Sequence, residues 1–171
     1  MKNTIIKSVL AVVFGITIGT FSKWGDVIPG DNIIKYFGWI STGVIIWLAI
    51  GSFLIIKTKN RKEFSIVYSL FMISMLISYY VFSLLVVKYL VKRIVIFWII
   101  MFIGSLILGN IIYDKKNTNL FRILFILASI IFLIYDAIEI NGINLIAIIS
   151  EVLMVVYVLI IISKSIKEAK N

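Results

Sequence analysis

Cysteine and histidine are both absent from this sequence of 171 residues. Their absence excludes disulfide bonds, thiol nucleophiles, zinc sites built from these residues and histidine-ligated haem, and it removes the commonest general base. The sequence also contains no His-Glu-x-x-His motif, no Gly-x-Ser-x-Gly elbow and no glycine-rich phosphate loop with a lysine. We therefore predict that the protein is not an enzyme, uses no cofactor and has no metal site.

Charged residues are scarce. They make up 15% of the chain against 62% apolar residues, and the mean hydropathy is +1.14. No ordinary water-soluble domain has this balance, so lipid must surround most of the chain. Because a helix needs roughly 20 apolar residues to cross the hydrocarbon core, we predict one all-α transmembrane domain over residues 1–171, a bundle of about six helices. The predicted helices are residues 5–21, 36–56, 64–87, 94–113, 120–140 and 145–163.

Three of these segments, residues 36–56, 64–87 and 94–113, contain no charged residue, whereas each of the other three contains at least one. A strand of a transmembrane barrel would alternate apolar and polar residues over roughly ten positions. The uninterrupted apolar runs do not alternate in this way. Their length and pattern favour helices.

Lysine and arginine residues are distributed unevenly between the two ends of the predicted helices. If the amino terminus is cytoplasmic, twelve of the 17 lie on the cytoplasmic side and five on the outer side. Because positive residues are retained in the cytoplasm, this distribution predicts a multi-pass protein with both termini cytoplasmic. The net charge of +9 then reflects topology and attraction to the headgroups of the lipid bilayer, and we predict no nucleic-acid partner.

Gly15 and Gly19 form a strip of small residues on the first helix, because positions four residues apart lie on one face. Such a strip allows another helix backbone to approach closely. The sequence leaves two interpretations open. The strip packs inside the bundle, or it docks a partner membrane protein or a second copy of the chain.

Glu151 is the most deeply placed acidic residue of the predicted bundle. It lies six residues inside its segment, about 9 Å below the helix end at 1.5 Å per residue. A charge at the centre of a membrane helix costs on the order of 2.5–3.5 kcal/mol. Glu151 should therefore be protonated, paired or in contact with water.

Two interpretations of Glu151 follow. In the first, it pairs with the positive turn formed by Lys88, Lys92 and Arg93 and ties the last helix to the third and fourth. In the second, it receives a cation, a proton or an amine-bearing solute in an outward-facing cavity. Asp136 and Glu139 would otherwise be solvated charges at a helix end. The candidate residues of the cavity, besides Glu151, are Asp136, Glu139, Tyr79, Tyr80 and Ser83.

Several stretches of the chain resemble a family of uncharacterised small membrane proteins, a bacterial domain of unknown function found notably in Firmicutes. These stretches are GTFSKWGDVIPG at residues 19–30, YFGW at residues 36–39, SYY at residues 78–80 and FS at residues 82–83. The resemblance implies a six-helix protein of the bacterial inner membrane. It implies no activity.

In size, helix number and cytoplasmic termini the chain is also similar to the substrate-capturing subunits of energy-coupling-factor vitamin transporters. In those subunits small residues of the first helix dock the coupling subunit. Gly15 and Gly19 would take that role, although the usual pattern there is rich in alanine.

Two hypotheses therefore stand. The protein is a non-enzymatic accessory or structural membrane component, or it binds or transports a small solute or cation at an outward-facing acidic site.

Overall fold

The computed structural model of the chain is all-helical over the residues it describes, which are 2–28, 33–88, 92–140 and 145–169. Helix α4 continues into a π-helical turn at Ser83–Val87, α5 ends in a 3-10 turn at Tyr113–Lys115, and α6 continues into a π-helical turn at Asp136–Ile140. The helices are α1 (Lys2–Val27), α2 (Ile33–Thr42), α3 (Val44–Lys57), α4 (Arg61–Phe82), α5 (Lys92–Ile112), α6 (Asn119–Tyr135) and α7 (Leu145–Glu168).

Five segments of the described chain are long and apolar enough to cross a membrane. They correspond to α1, α4, α5, α6 and α7, and they match five of the six predicted segments. Their outward faces carry large apolar side chains, such as Ile111 at 65% and Leu153 at 64% exposure. The helical class predicted from the sequence is confirmed.

The remaining predicted segment is interrupted at Gly43. There the backbone turns to φ −65° and ψ 145°, an extended conformation, and a new helix begins at Val44. Helix α2 has 10 residues and α3 has 14, so each is shorter than the roughly 20 residues of a full span. The prediction of one continuous helix over residues 36–56 is therefore wrong at Gly43.

Helix α3 lies at the centre of the bundle, where it packs against α4, α5, α6 and α7. Its apolar side chains are buried against aromatic residues of α4 and against aliphatic residues of α7. This arrangement places the break at Gly43 in the interior. The main core residues are Ile45, Trp47, Ala49, Ile55, Phe64, Tyr68, Phe71, Val155, Val158 and Ile162.

Helix α1 packs along α4 through Gly15 and Gly19. A Cβ atom added to Gly15 would collide with the Ser74 side chain and lie 2.5 Å from the carbonyl oxygen of Phe71, and one added to Gly19 would collide with the Ser78 hydroxyl. The strip of small residues is thus packed inside the chain, and α4 covers it. Docking of a partner membrane protein or of a second copy through Gly15 and Gly19 stays a prediction.

Candidate functional site at the helix break

Two acidic side chains from different helices meet at the break between α2 and α3. Asp136 follows α6 and Glu151 lies in α7, and both are wholly buried. A Cβ atom placed on Gly43 would lie 2.9 Å from Asp136 Oδ2 and 2.9 Å from Glu151 Oε1. The two carboxylates therefore lie within about 6 Å of each other, a distance at which two negative charges repel.

Both acids belong to the inward faces of their helices. In α7 the buried residues Ala147 and Val155 lie four positions before and after Glu151, so all three share one face. In the last part of α6 the buried Ser129 lies seven positions, two helical turns, before Asp136. The same spacing that builds the core therefore places both carboxylates in the interior.

Asp136 caps the amino-terminal end of α3 from a neighbouring helix. The backbone N–H of Val44 donates to Asp136 Oδ1 at 3.0 Å, and the N–H of Ile45 donates to Oδ2 at 2.9 Å. The first N–H groups of a helix have no partner within it, and Gly43 has no side chain to supply one. The prediction that Asp136 is a solvated charge at a helix end is wrong, because these buried N–H groups hold its carboxylate inside the bundle.

The basic residues predicted to pair with Glu151 lie on the surface of the bundle. Lys88, Lys92 and Arg93 are all exposed, and Lys88 has the left-handed backbone conformation that ends the π-helical turn of α4. Within the described part of the chain no ion pair joins these three residues to Glu151. Glu139 has helical backbone, but its side chain lies outside what the structure describes.

Tyr79 contacts a different acid from the one predicted. Its hydroxyl donates to Asp26 Oδ2 at 2.8 Å, and Lys23 Nζ lies 3.5 Å from the same oxygen and 5.1 Å from the centre of the Tyr79 ring. These contacts tie α4 to the carboxyl-terminal end of α1. Tyr80 packs edge-on against Tyr79 with ring centres 5.2 Å apart, and its buried hydroxyl has no hydrogen-bond partner among the described residues.

A small cavity of about 20 Å³, with room for about one water molecule, is lined by Tyr79 of α4 and by residues on both sides of the helix break. Ser22 and Ser41 line it, and Ser22 Oγ donates to Ser41 Oγ at 2.5 Å. Trp47 also lines it, and its buried indole N–H has no partner among the described residues. Asp136 and Glu151 do not line this cavity.

Ser83, another of the predicted lining residues, is buried near the end of α4.

Sequence reasoning missed a third buried acid, Glu63, at the opposite end of the bundle. Glu63 is 4% exposed, accepts the Lys59 N–H at 2.6 Å and lies 3.1 Å from Lys7 Nζ. The Asn60 side chain in turn accepts the Glu63 N–H at 2.8 Å, which completes a reciprocal cap of α4. The spacing of Asn60 and Glu63 carries this signal in the sequence.

Comparison of the chain with protein-family models, with curated proteins and with solved structures finds no match. The resemblance of residues 19–30, 36–39 and 78–83 to a bacterial membrane-protein family therefore stays a prediction. The architectural likeness to transporter subunits does too.

Proposed function

We propose that this chain is a multi-pass integral membrane protein of the bacterial inner membrane with both termini in the cytoplasm. Five apolar helices with apolar outward faces support membrane insertion. The excess of lysine and arginine at one end of the helices supports the orientation. The family resemblance supports the bacterial membrane.

Within that membrane protein, we propose that the pair formed by Asp136 and Glu151 binds a proton or a small cation. The observation that carries this proposal is the meeting of two wholly buried carboxylates at a break in the central helix. Two negative charges this close in a low-dielectric interior require positive charge beside them. The amino-terminal end of α3 supplies about half a positive charge. A proton or a cation shared by the two carboxylates would add positive charge at the same place.

Broken helices at membrane depth support the same function. In secondary transporters, half-helix ends and interrupted backbone form ion and substrate sites. Here the break exposes two backbone N–H groups and receives acids from two other helices. Tyr79, Ser22 and Ser41 add polar groups to a small cavity beside the break, which Trp47 of α3 also lines.

The test is the substitution Glu151→Gln in the purified full chain. We expect the wild-type protein to gain thermal stability in detergent as the pH falls from about 8 to about 5, or on addition of Na⁺, K⁺ or Li⁺, because only the folded state holds the bound charge in place. We expect Glu151→Gln to unfold near the wild-type temperature and to lose that gain. Wild-type protein that responds to neither protons nor cations would refute the proposed site.

The hydrogen bonds of Asp136 favour a second candidate function. In it, the protein is an accessory or structural component and the acid pair is a permanent tie between helices. Its carboxylate is already bonded to two N–H groups of α3, as a structural cap would be. A tie predicts that Glu151→Gln lowers the unfolding temperature and that no ligand stabilises the wild-type protein. If Glu151→Gln changes neither the unfolding temperature nor the stabilisation by protons or cations, both roles of Glu151 are wrong.

A further inference from the structure

A groove of about 370 Å³ runs between α1 and α3, with α4 as its floor. It lies away from the acid pair, towards the end of the bundle where α1 begins and α3 ends. Its long walls are apolar, and α1 presents further exposed apolar side chains beside it. The larger apolar lining residues include Leu10, Phe14, Ile50, Phe53, Val67 and Phe71.

The groove ends at a group of polar residues. Lys7, Lys57 and Thr58 line this end. Lys7 Nζ donates to the carbonyl oxygen of Lys57 at 2.9 Å, and the exposed Lys57 ammonium lies 6.0 Å from the ring centre of Phe53 in the apolar wall. The apolar groove therefore has positive charge at one end.

The positive charge at this end exceeds the negative charge beside it. Glu63, the acid next to the groove, is already paired with Lys7. Lys57 adds a second ammonium, and among the described residues no ion pair joins it to an acid. An anion arriving here would find the Lys57 ammonium, which Glu63 does not balance.

We propose that the groove binds an anionic phospholipid, with one acyl chain between α1 and α3 and the phosphate beside Lys57. Basic pockets between helices on the cytoplasmic side are suited to anionic headgroups. A free phosphate ion would leave the apolar walls unfilled, so the occupant is a lipid. This inference rests on the proposed membrane location and orientation, and it is independent of the acid pair.

Native mass spectrometry of the full chain, released from detergent after addition of defined lipids, tests the proposal. We expect retention of phosphatidylglycerol over phosphatidylcholine with the same acyl chains. Lys57→Gln should weaken phosphatidylglycerol binding about fivefold, the effect of one lysine at an anionic surface. The matched control is Lys62→Gln, which removes an exposed charge at the same end of the bundle outside the groove lining and should bind as wild type does.

A phosphatidylglycerol with a photoreactive acyl chain locates the bound lipid. Crosslinks should fall on peptides that contain Phe14, Phe53 or Val67. Equal retention of the two lipids, equal binding by the two lysine variants, or crosslinks confined to other helices would each overturn the proposal. Glu151→Gln should retain the lipid as wild type does, so failure of the groove and failure of the acid site are separate results.

Discussion

At the scale of single residues, Gly43 matters for the space it leaves rather than for its backbone freedom. Its φ of −65° and ψ of 145° are open to any residue. What glycine provides is the absence of a Cβ atom where the oxygens of Asp136 and Glu151 converge. The two acids can approach the backbone only because this position carries no side chain.

The substitution Gly43→Ala should therefore be destabilising, because its methyl group would lie 2.9 Å from one oxygen of each acid. We expect a loss of about 1–3 kcal/mol, the usual cost of forcing an extra carbon into a packed interior. Thermal unfolding in detergent measures it. Gly104→Ala is the control, since a Cβ at Gly104 meets nothing within 4 Å. A Gly43→Ala variant as stable as Gly104→Ala would contradict the described geometry of the pair.

The two acids also show what residue-level reasoning could and could not predict. Glu151 was recognisable because it stands inside an apolar run, far from both ends. Asp136 lies near the predicted end of its segment, where a carboxylate normally meets water, and only the tertiary position of α3 shows that two backbone N–H groups hold it inside. Its partner Gly43 could not be predicted, because Gly43 is 93 positions away in the chain.

At the scale of the helices, the apolar runs predicted most boundaries well, because length and hydropathy decide where a helix can cross lipid. All the described helices except α3 begin within three residues of a predicted start. The break in residues 36–56 was not predicted, since no proline and no charge marks it. Ser41, Thr42 and Gly43 interrupt the apolar segment only weakly. The sequence does not show that two acids pack against this point and that the helix breaks there.

Helix α3 should depend on Asp136 for its start. The change Asp136→Asn replaces one acceptor oxygen with an N–H₂ group, which would face a backbone N–H donor instead of accepting from it. We expect a loss of about 1–3 kcal/mol, the cost of a buried donor left without an acceptor.

The control for this change is Asp114→Asn, which alters an exposed ion pair with Arg61 and should shift the unfolding temperature little. Unfolding of both variants in the same detergent compares them directly. If Asp136→Asn unfolds at the temperature of Asp114→Asn, the cap contributes nothing to stability.

At the scale of the whole molecule, the proposed orientation can be tested without removing any native thiol, because the sequence contains no cysteine. Lys62 and Lys92 are both exposed and lie at the starts of α4 and α5. In intact bacterial cells a membrane-impermeant maleimide should label Lys92→Cys and should label Lys62→Cys only after permeabilisation. The reverse pattern would place both termini outside.

The close packing of α1 on α4 has a consequence for how the chain is made. Helix α1 leaves the ribosome before α4, and the helix that covers Gly15 and Gly19 is complete only when residue 82 has been synthesised. In the proposed membrane location, α1 spends that interval in lipid without its principal neighbour. The contact between α1 and α4 therefore joins an early segment to a later one, and it forms only after α4 has been made.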